Sequence, residues 1–357
     1  MIYDGEAAGF SDSAFRAKSA IVLPACPARR DRIGDELQPF GDYANANPYR
    51  RTVEDIEVLQ EHEQIDPDFK DRDWWWDHTR IRFLNGKLGL KALIFLVPFA
   101  WIFSLLFGGI ALIVWGVVEL SSFDSIPAFL IAVFGLTSAL VWMLFAFWAI
   151  PPTTNWIMSR GLAFVLKPFE KIIHRKFDET LEDGCSEFNR VTGQVRFALG
   201  RKRFFEAPFV EFDAYVERVV QHGGIFYRLM FVHRYTQKTF NKTWLSSIEA
   251  DKSEVLALWD MLQRYMDVSQ PLPDVPRLEP FRHLDPVTAE HDQKTGRNPR
   301  YWRDLDLDVW KGREGLEMLN RQRQYPWNQR VCKLTPKLGE IDMDTYRAQR
   351  PATASAI

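Results

Sequence analysis

Residues 92–118, ALIFLVPFAWIFSLLFGGIALIVWGVV, and residues 126–150, IPAFLIAVFGLTSALVWMLFAFWAI, contain no Asp, Glu, Lys, Arg or His. A helix of about 20 apolar residues spans the hydrocarbon core of a bilayer. Both runs exceed that length, which leaves room for tilt. Only 119–125 separates them, so the pattern predicts a transmembrane helical hairpin over 92–150. The alternative is a buried hairpin in a soluble protein, but two adjacent uncharged runs of this length are rare there.

The flanks set an orientation. Lys70, Arg72, Arg80, Arg82, Lys87 and Lys91 precede the hairpin, and Arg160, Lys167, Lys171, Arg175 and Lys176 follow it. The connecting segment carries Glu119 and Asp124 and no Lys or Arg. Positive charge stays on the cytoplasmic side, which predicts two spans with both termini cytoplasmic. Within the spans, Pro98 suggests a kink, and Gly108-Gly109 and Gly135 suit close helix contact. With no ionisable residue there, a transport pathway built from this hairpin alone is not expected.

Whole-chain averages hide this division: the net charge is −2, which leaves no basic footprint for nucleic acid. Three cysteines, Cys26, Cys185 and Cys332, fit a reducing compartment and offer no disulfide framework. Residues 1–10 lack a basic stretch followed by an apolar core, so the first span is expected to act as an uncleaved insertion signal.

Outside the hairpin, residues 1–68 are polar and broken by Gly and Pro. They read as a mobile N-terminal arm with one short helix near 53–63. Residues 69–91 form an interfacial segment of tryptophan and basic residues around Asp73-Trp74-Trp75-Trp76-Asp77-His78. Trp74, Trp75 and Trp76 suit a headgroup anchor or packing on a neighbouring domain; as a docking site they are also candidate partner-binding residues. Residues 151–184 read as an amphipathic basic connecting helix, either lying on anionic lipid or packed on the next domain.

Residues 185–270 look the most folded. Residues 186–191 and 194–199 flank Thr192-Gly193 as a hairpin. Val210, Phe212, Ala214 and Val216 alternate with Glu211, Asp213, Tyr215 and Glu217, the period of a half-buried strand. Gly223-Gly224 makes a turn, and 226–235 and 239–245 read as strands. Asp251 with Glu254 forms a capping box for a helix over 252–267, with Val255, Leu256, Trp259, Leu262 and Met266 on one face. The predicted fold class is therefore an α+β membrane protein. It would pair the transmembrane hairpin with a cytoplasmic antiparallel β-barrel or bent sheet, closed by a C-terminal helix.

Strands followed by one amphipathic helix with a central Trp resemble a pleckstrin-homology-like fold. The two-pass hairpin, Glu187-Phe188-Asn189-Arg190-Val191-Thr192-Gly193, the stretch from Trp259 to Tyr265-Met266, and Leu272-Pro273 together resemble a family of uncharacterised bacterial membrane proteins, over residues 85–275. That resemblance implies an inner-membrane location and a setting near type VI secretion genes. The family has no established catalytic residues, and none is transferred.

The C-terminal extension, 271–357, is polar but rich in aromatics. Trp302, Trp310 and Trp327 are candidate partner-binding residues if it is an arm, and core residues if it packs on the body. The end, from 347, reads as disordered. No phosphate loop, G-x-S-x-G elbow, C-x-x-C or paired zinc-ligand histidines occur, and the seven histidines do not cluster. No catalytic residue, metal site or cofactor is expected. Gly200-Arg201-Lys202-Arg203 is the sharpest charged feature: Arg201, Lys202 and Arg203 could hold lipid phosphates or form a solvated basic turn. The expected function is that of a non-enzymatic membrane-anchored protein. Its cytoplasmic domain and tail would bind a protein partner, such as a type VI secretion effector or component, in an accessory or immunity-like role. The alternative is a lipid-sensing or membrane-organising module binding anionic headgroups.

Overall fold

Strands form where apolar and polar side chains alternate, and a capped helix forms where the period changes from 2 to 3.6. The computed structural model describes residues 9–19, 22–27, 34–70, 74–84, 98–122, 127–156, 184–241 and 243–349. In chain order the elements begin with β1 (Leu23–Pro24), β2 (Glu36–Leu37), α1 (Tyr49–Ile65) and β3 (Arg80–Leu84). Two long helices follow, α2 (Pro98–Ser121) and α3 (Ala128–Trp156). Then come β4 (Cys185–Asn189), β5 (Gln194–Gly200), β6 (Arg203–Pro208), β7 (Phe212–Gln221), β8 (Gly224–His233), β9 (Thr239–Phe240) and α4 (Lys252–Met266). The last part holds α5 (Pro286–Thr295), α6 (Leu307–Lys311), α7 (Glu314–Gln324), β10 (Leu338–Ile341) and α8 (Met343–Gln349). Residues 87–180 form one compact unit, and residues 1–86 with 181–357 form another.

In the first of these units, α2 has 24 residues and α3 has 29, and both are long and apolar enough to cross a membrane. A π-helical stretch, Ser104–Gly108, interrupts α2. Such a stretch disturbs the carbonyl ladder, and the Trp142 indole N–H donates to the Leu105 carbonyl at 3.1 Å. Gly109 makes room for that ring: a Cβ there would lie 1.9 Å from it. Gly135 faces Val117 in the same way, whereas Gly108 faces open space. The Trp101 indole donates to Thr153 Oγ1 at 3.0 Å. The chain stays helical through Pro151-Pro152 as far as Trp156. The rest of the predicted connecting helix, 157–183, and residues 123–126 of the inter-span segment lie outside the described residues.

The second unit holds two four-stranded antiparallel sheets, in the orders β3-β4-β5-β6 and β2-β7-β8-β9. Neither closes into the barrel that the strand pattern suggested. Pairing of β6 with β5 ends at Pro208, a residue with no N–H to extend a ladder. A 3-10 turn, Phe209–Glu211, then carries the chain into the second sheet. Phe188, Phe197, Phe209, Phe212 and Phe231 fill the core with Trp259 of α4, which is fully buried. Asp251 caps α4 by accepting from Ser253 N at 2.9 Å.

The N-terminal arm is folded where it is described, contrary to the expectation of mobility. Helix α4 is buried on its polar side as well, because residues 38–48 lie over it. Asp260 accepts from Ala44 N at 2.6 Å and Ala46 N at 3.0 Å, Gln263 Oε1 from Gly41 N at 2.7 Å, and Asp267 from the Tyr43 hydroxyl at 2.9 Å. The first three of these bonds satisfy backbone N–H groups of an irregular segment that would otherwise need water. The C-terminal extension also packs on the body: Ile56, Leu59, Phe69, Trp74, Trp302 and Trp310 form a second core. β10 pairs in parallel with β1. Arg347 lies in α8, and residues 350–357 lie outside the described residues.

Candidate functional site

The six tryptophans singled out in the sequence fall into two groups. Trp74, Trp76, Trp302 and Trp310 are buried. Trp76 packs in the main core and the other three in the second. The reason is local chemistry. Arg277 donates to Asp55 at 2.6 Å and lies over the Trp74 and Trp76 rings, while Arg51 donates to the Leu245 carbonyl and lies 4.6 Å from the Trp76 centroid. The run of tryptophans thus stacks against two guanidinium groups and holds α1 to the body. Trp302 donates its indole N–H to Asp274 at 2.8 Å. Trp75 and Trp327 keep part of their rings accessible: Trp75 lies beside Arg82, and Trp327 donates to the Gln322 carbonyl at 2.9 Å. Asp73 lies outside the described residues.

Arg201, Lys202 and Arg203 are all exposed, at the turn joining β5 to β6. Gly200 pairs with Arg203, and the two central residues have φ of 55° and 56°. A two-residue hairpin turn of type I′ needs positive φ at both positions, and Asn-Gly is the usual solution. Here two long basic residues take that conformation. The structure does not bring the basic turn and the buried tryptophans together into one site.

Cavities occur at two places of interest. One, of about 290 Å³, is lined by Arg51, Asp55, Trp244, Ser246, Glu254 and Arg277, among others. Burial raises the Glu254 pKa, although its carboxylate accepts from Arg51 N at 3.0 Å and Gln322 Nε2 at 2.9 Å. The other, of about 340 Å³, lies between residues 45–47 and α7, over Tyr301, Trp302 and Trp310. Neither lining contains His or Cys. Among the described residues no three His, Cys, Asp or Glu side chains group as metal ligands.

One buried polar cluster was missed in the sequence. His233 Nδ1 accepts from Thr236 N at 3.1 Å, which fixes the proton on Nε2, and Nε2 lies 2.8 Å from Glu211. The Tyr346 hydroxyl donates to the same carboxylate at 2.8 Å. Burial first, and then the Arg234 guanidinium, lower the His233 pKa to about 4, against the pull of the Asp213 carboxylate. The neutral ring acts as a strut tying α8 to the second sheet. Only the alternation around Glu211 hinted at it, and that alternation placed the glutamate facing solvent. Comparison of the chain with protein-family models, with characterised proteins and with solved structures yields no match, so a functional reading rests on these residues themselves.

Proposed function

We propose that this protein is a non-enzymatic, membrane-anchored binding protein. Helices α2 and α3 cross a bacterial inner membrane, both termini lie in the cytoplasm, and the β-rich unit is a pleckstrin-homology-like domain that holds a protein partner. The observation that carries this reading is the surface of the two helices. Phe99, Phe103, Phe107, Leu112, Trp115, Phe134, Leu144 and Trp148 are all exposed on them, and an apolar helix of this kind is stable only when covered by lipid or protein. The excess of Lys and Arg on both flanks supports cytoplasmic ends.

The segment between the spans is too short for a specific interface of about 800 Å² per partner. Recognition therefore belongs to the β-rich unit, where the accessible aromatics Trp75 and Trp327 are the best anchors. The resemblance over residues 85–275 points to a component or effector of type VI secretion as the partner class. Crosslinking in intact cells, followed by purification from detergent-solubilised membranes, tests the reading. The expected result is a stoichiometric protein partner whose capture, measured well below the melting temperature, falls in Trp75→Ala or Trp327→Ala, both of which also pack on the core. Recovery of no such partner rejects it. Labelling of cysteines placed at Asp124 and Arg175 tests the topology: only the first should react from outside the cell.

A further inference from the structure

The chain leaves the β-rich unit after β3 and returns to it at β4, and these two strands are neighbours in one sheet. Leu84 pairs with Cys185. Following the β4–β5 register from Glu187↔Arg196 puts Cys185 level with Ala198, and Ser186 Oγ accepts from Ala198 N at 2.9 Å. Ala198 in turn pairs with Phe204. Leu84, Cys185, Ala198 and Phe204 therefore form one row across the sheet, at the end where both connections to the apolar helices begin. Trp244 extends the row on the open side of β3, where its backbone N–H donates to the Leu84 carbonyl at 2.8 Å. The basic turn overhangs the row by two residues, about 7 Å at the rise of a strand.

Three properties of this rim point the same way. Both flanks of the row carry an exposed aromatic, Trp244 at 55% and Phe204 at 36%. Aromatic rings, with an apolar body and a polarisable or hydrogen-bonding edge, favour the headgroup layer. Beyond the row, Arg201, Lys202 and Arg203 form no ion pair with another described residue. Glu187 and Glu206 lie below the row beside Arg196, which bonds Glu187 at 3.2 Å and covers the Phe204 ring. Finally, Arg201 and Lys202 occupy left-handed backbone where glycine or asparagine would be less strained. The turn keeps charge at the expense of backbone preference, a pattern that marks functional positions.

We propose that this rim, Arg201, Lys202, Arg203 and Phe204 with Trp244, is a contact surface for the anionic face of the bilayer that the chain itself spans. The basic side chains meet lipid phosphates, the two rings enter the headgroup layer, and the β-rich unit is thereby held in one orientation on the membrane. This rests on the membrane-spanning reading of α2 and α3.

The test uses the full-length protein in nanodiscs of phosphatidylcholine alone, or of phosphatidylcholine with phosphatidylglycerol, followed by amide hydrogen exchange. Amides of 199–205 and 243–245 should exchange several-fold more slowly in the anionic discs. The difference should vanish in Arg201→Glu/Lys202→Glu/Arg203→Glu and at high salt. Arg201→Asn/Lys202→Gly removes two charges while suiting the turn better, so loss of the lipid effect in that variant cannot be ascribed to unfolding. Equal exchange in both lipids, or a difference that survives in both variants, overturns the contact. A protein that does not co-elute with the discs overturns the membrane-spanning reading instead.

Discussion

Arg190 shows how much one side chain can decide. It is fully buried at the end of β4 and donates to the carbonyls of Tyr265, Asp267 and Gln270, closing the C-terminal end of α4, while pairing with buried Asp285 at 3.3 Å. A helix C-terminus attracts cations and has carbonyls in need of donors. Arg190→Met leaves Asp285 buried and unpaired. Loss of one partner of a buried pair is expected to lower stability by about 3–5 kcal/mol, read from denaturant unfolding of the full-length protein. Arg190→Met/Asp285→Asn should lose less than the sum of the two single variants. A second residue-scale prediction concerns pH. Burial lowers the His78 pKa, outweighing the pull of Asp77 and Asp285. The folded state thus binds a proton less readily than the unfolded chain, whose histidine titrates near 6.5. Its contribution is full above that value and is lost as pH falls below it. Melts between about pH 7.5 and about pH 5.5 should drop more in the native protein than in His78→Gln. Neither role was legible in the sequence, because an arginine in a turn and a histidine beside an aspartate usually face water.

At the scale of elements, period and capping were legible and partners were not. The hairpin of β4 and β5, the Gly-Gly turn between β7 and β8 and the Asp251-capped helix α4 all lie where alternation and capping place them. The strand read over 239–245 shrinks to Thr239–Phe240, because the following chain turns aside to bond Leu84, Leu229 and Tyr227. β6 went unread: its apolar run, Phe204-Phe205, follows a triplet of charges and carries no clear alternation. The polar face of α4 is the surface that holds residues 38–48. In α2, Gly109 is the close-contact site that the sequence suggests, whereas Gly108 beside it faces open space, and nothing in the sequence marks the π-helical stretch. Gly109→Val would drive the Trp142 ring off the helix and break its bond to the Leu105 carbonyl. Overpacking of this kind lowers stability by about 1–3 kcal/mol. Heat-induced aggregation of the detergent-purified protein should therefore begin at a lower temperature for Gly109→Val, and be unchanged for Gly108→Ala, where a Cβ meets nothing within 4 Å.

For the whole molecule, the described segments toward both ends of the chain are structural parts of the β-rich unit. Phe15, Phe40 and Leu23 enter the main core, β1 pairs with β10, and the second core joins α1 to Trp302 and Trp310. Composition could not reveal this, since Gly, Pro and charge are as common in a strapped segment as in a loose one. Deleting everything after residue 280 removes Asp285, Trp302, Trp310 and β10 together. The truncated protein is expected to lose cooperative unfolding and become sensitive to proteolysis in its β-rich unit; an unchanged melt would show the extension to be dispensable. The pairing of Leu84 with Cys185 also sets an order of events during synthesis. β3 leaves the ribosome before both long helices, and β4 after them. At ordinary elongation rates the segment between takes roughly 5–20 s to make. Throughout that interval Trp74, Trp76 and Phe83 lack core partners that come later in the chain. The nascent N-terminal segment must be kept from aggregating until the residues after the helices have been made, so, if the helices cross a membrane as proposed, failure of their insertion leaves the β-rich unit unfolded as well.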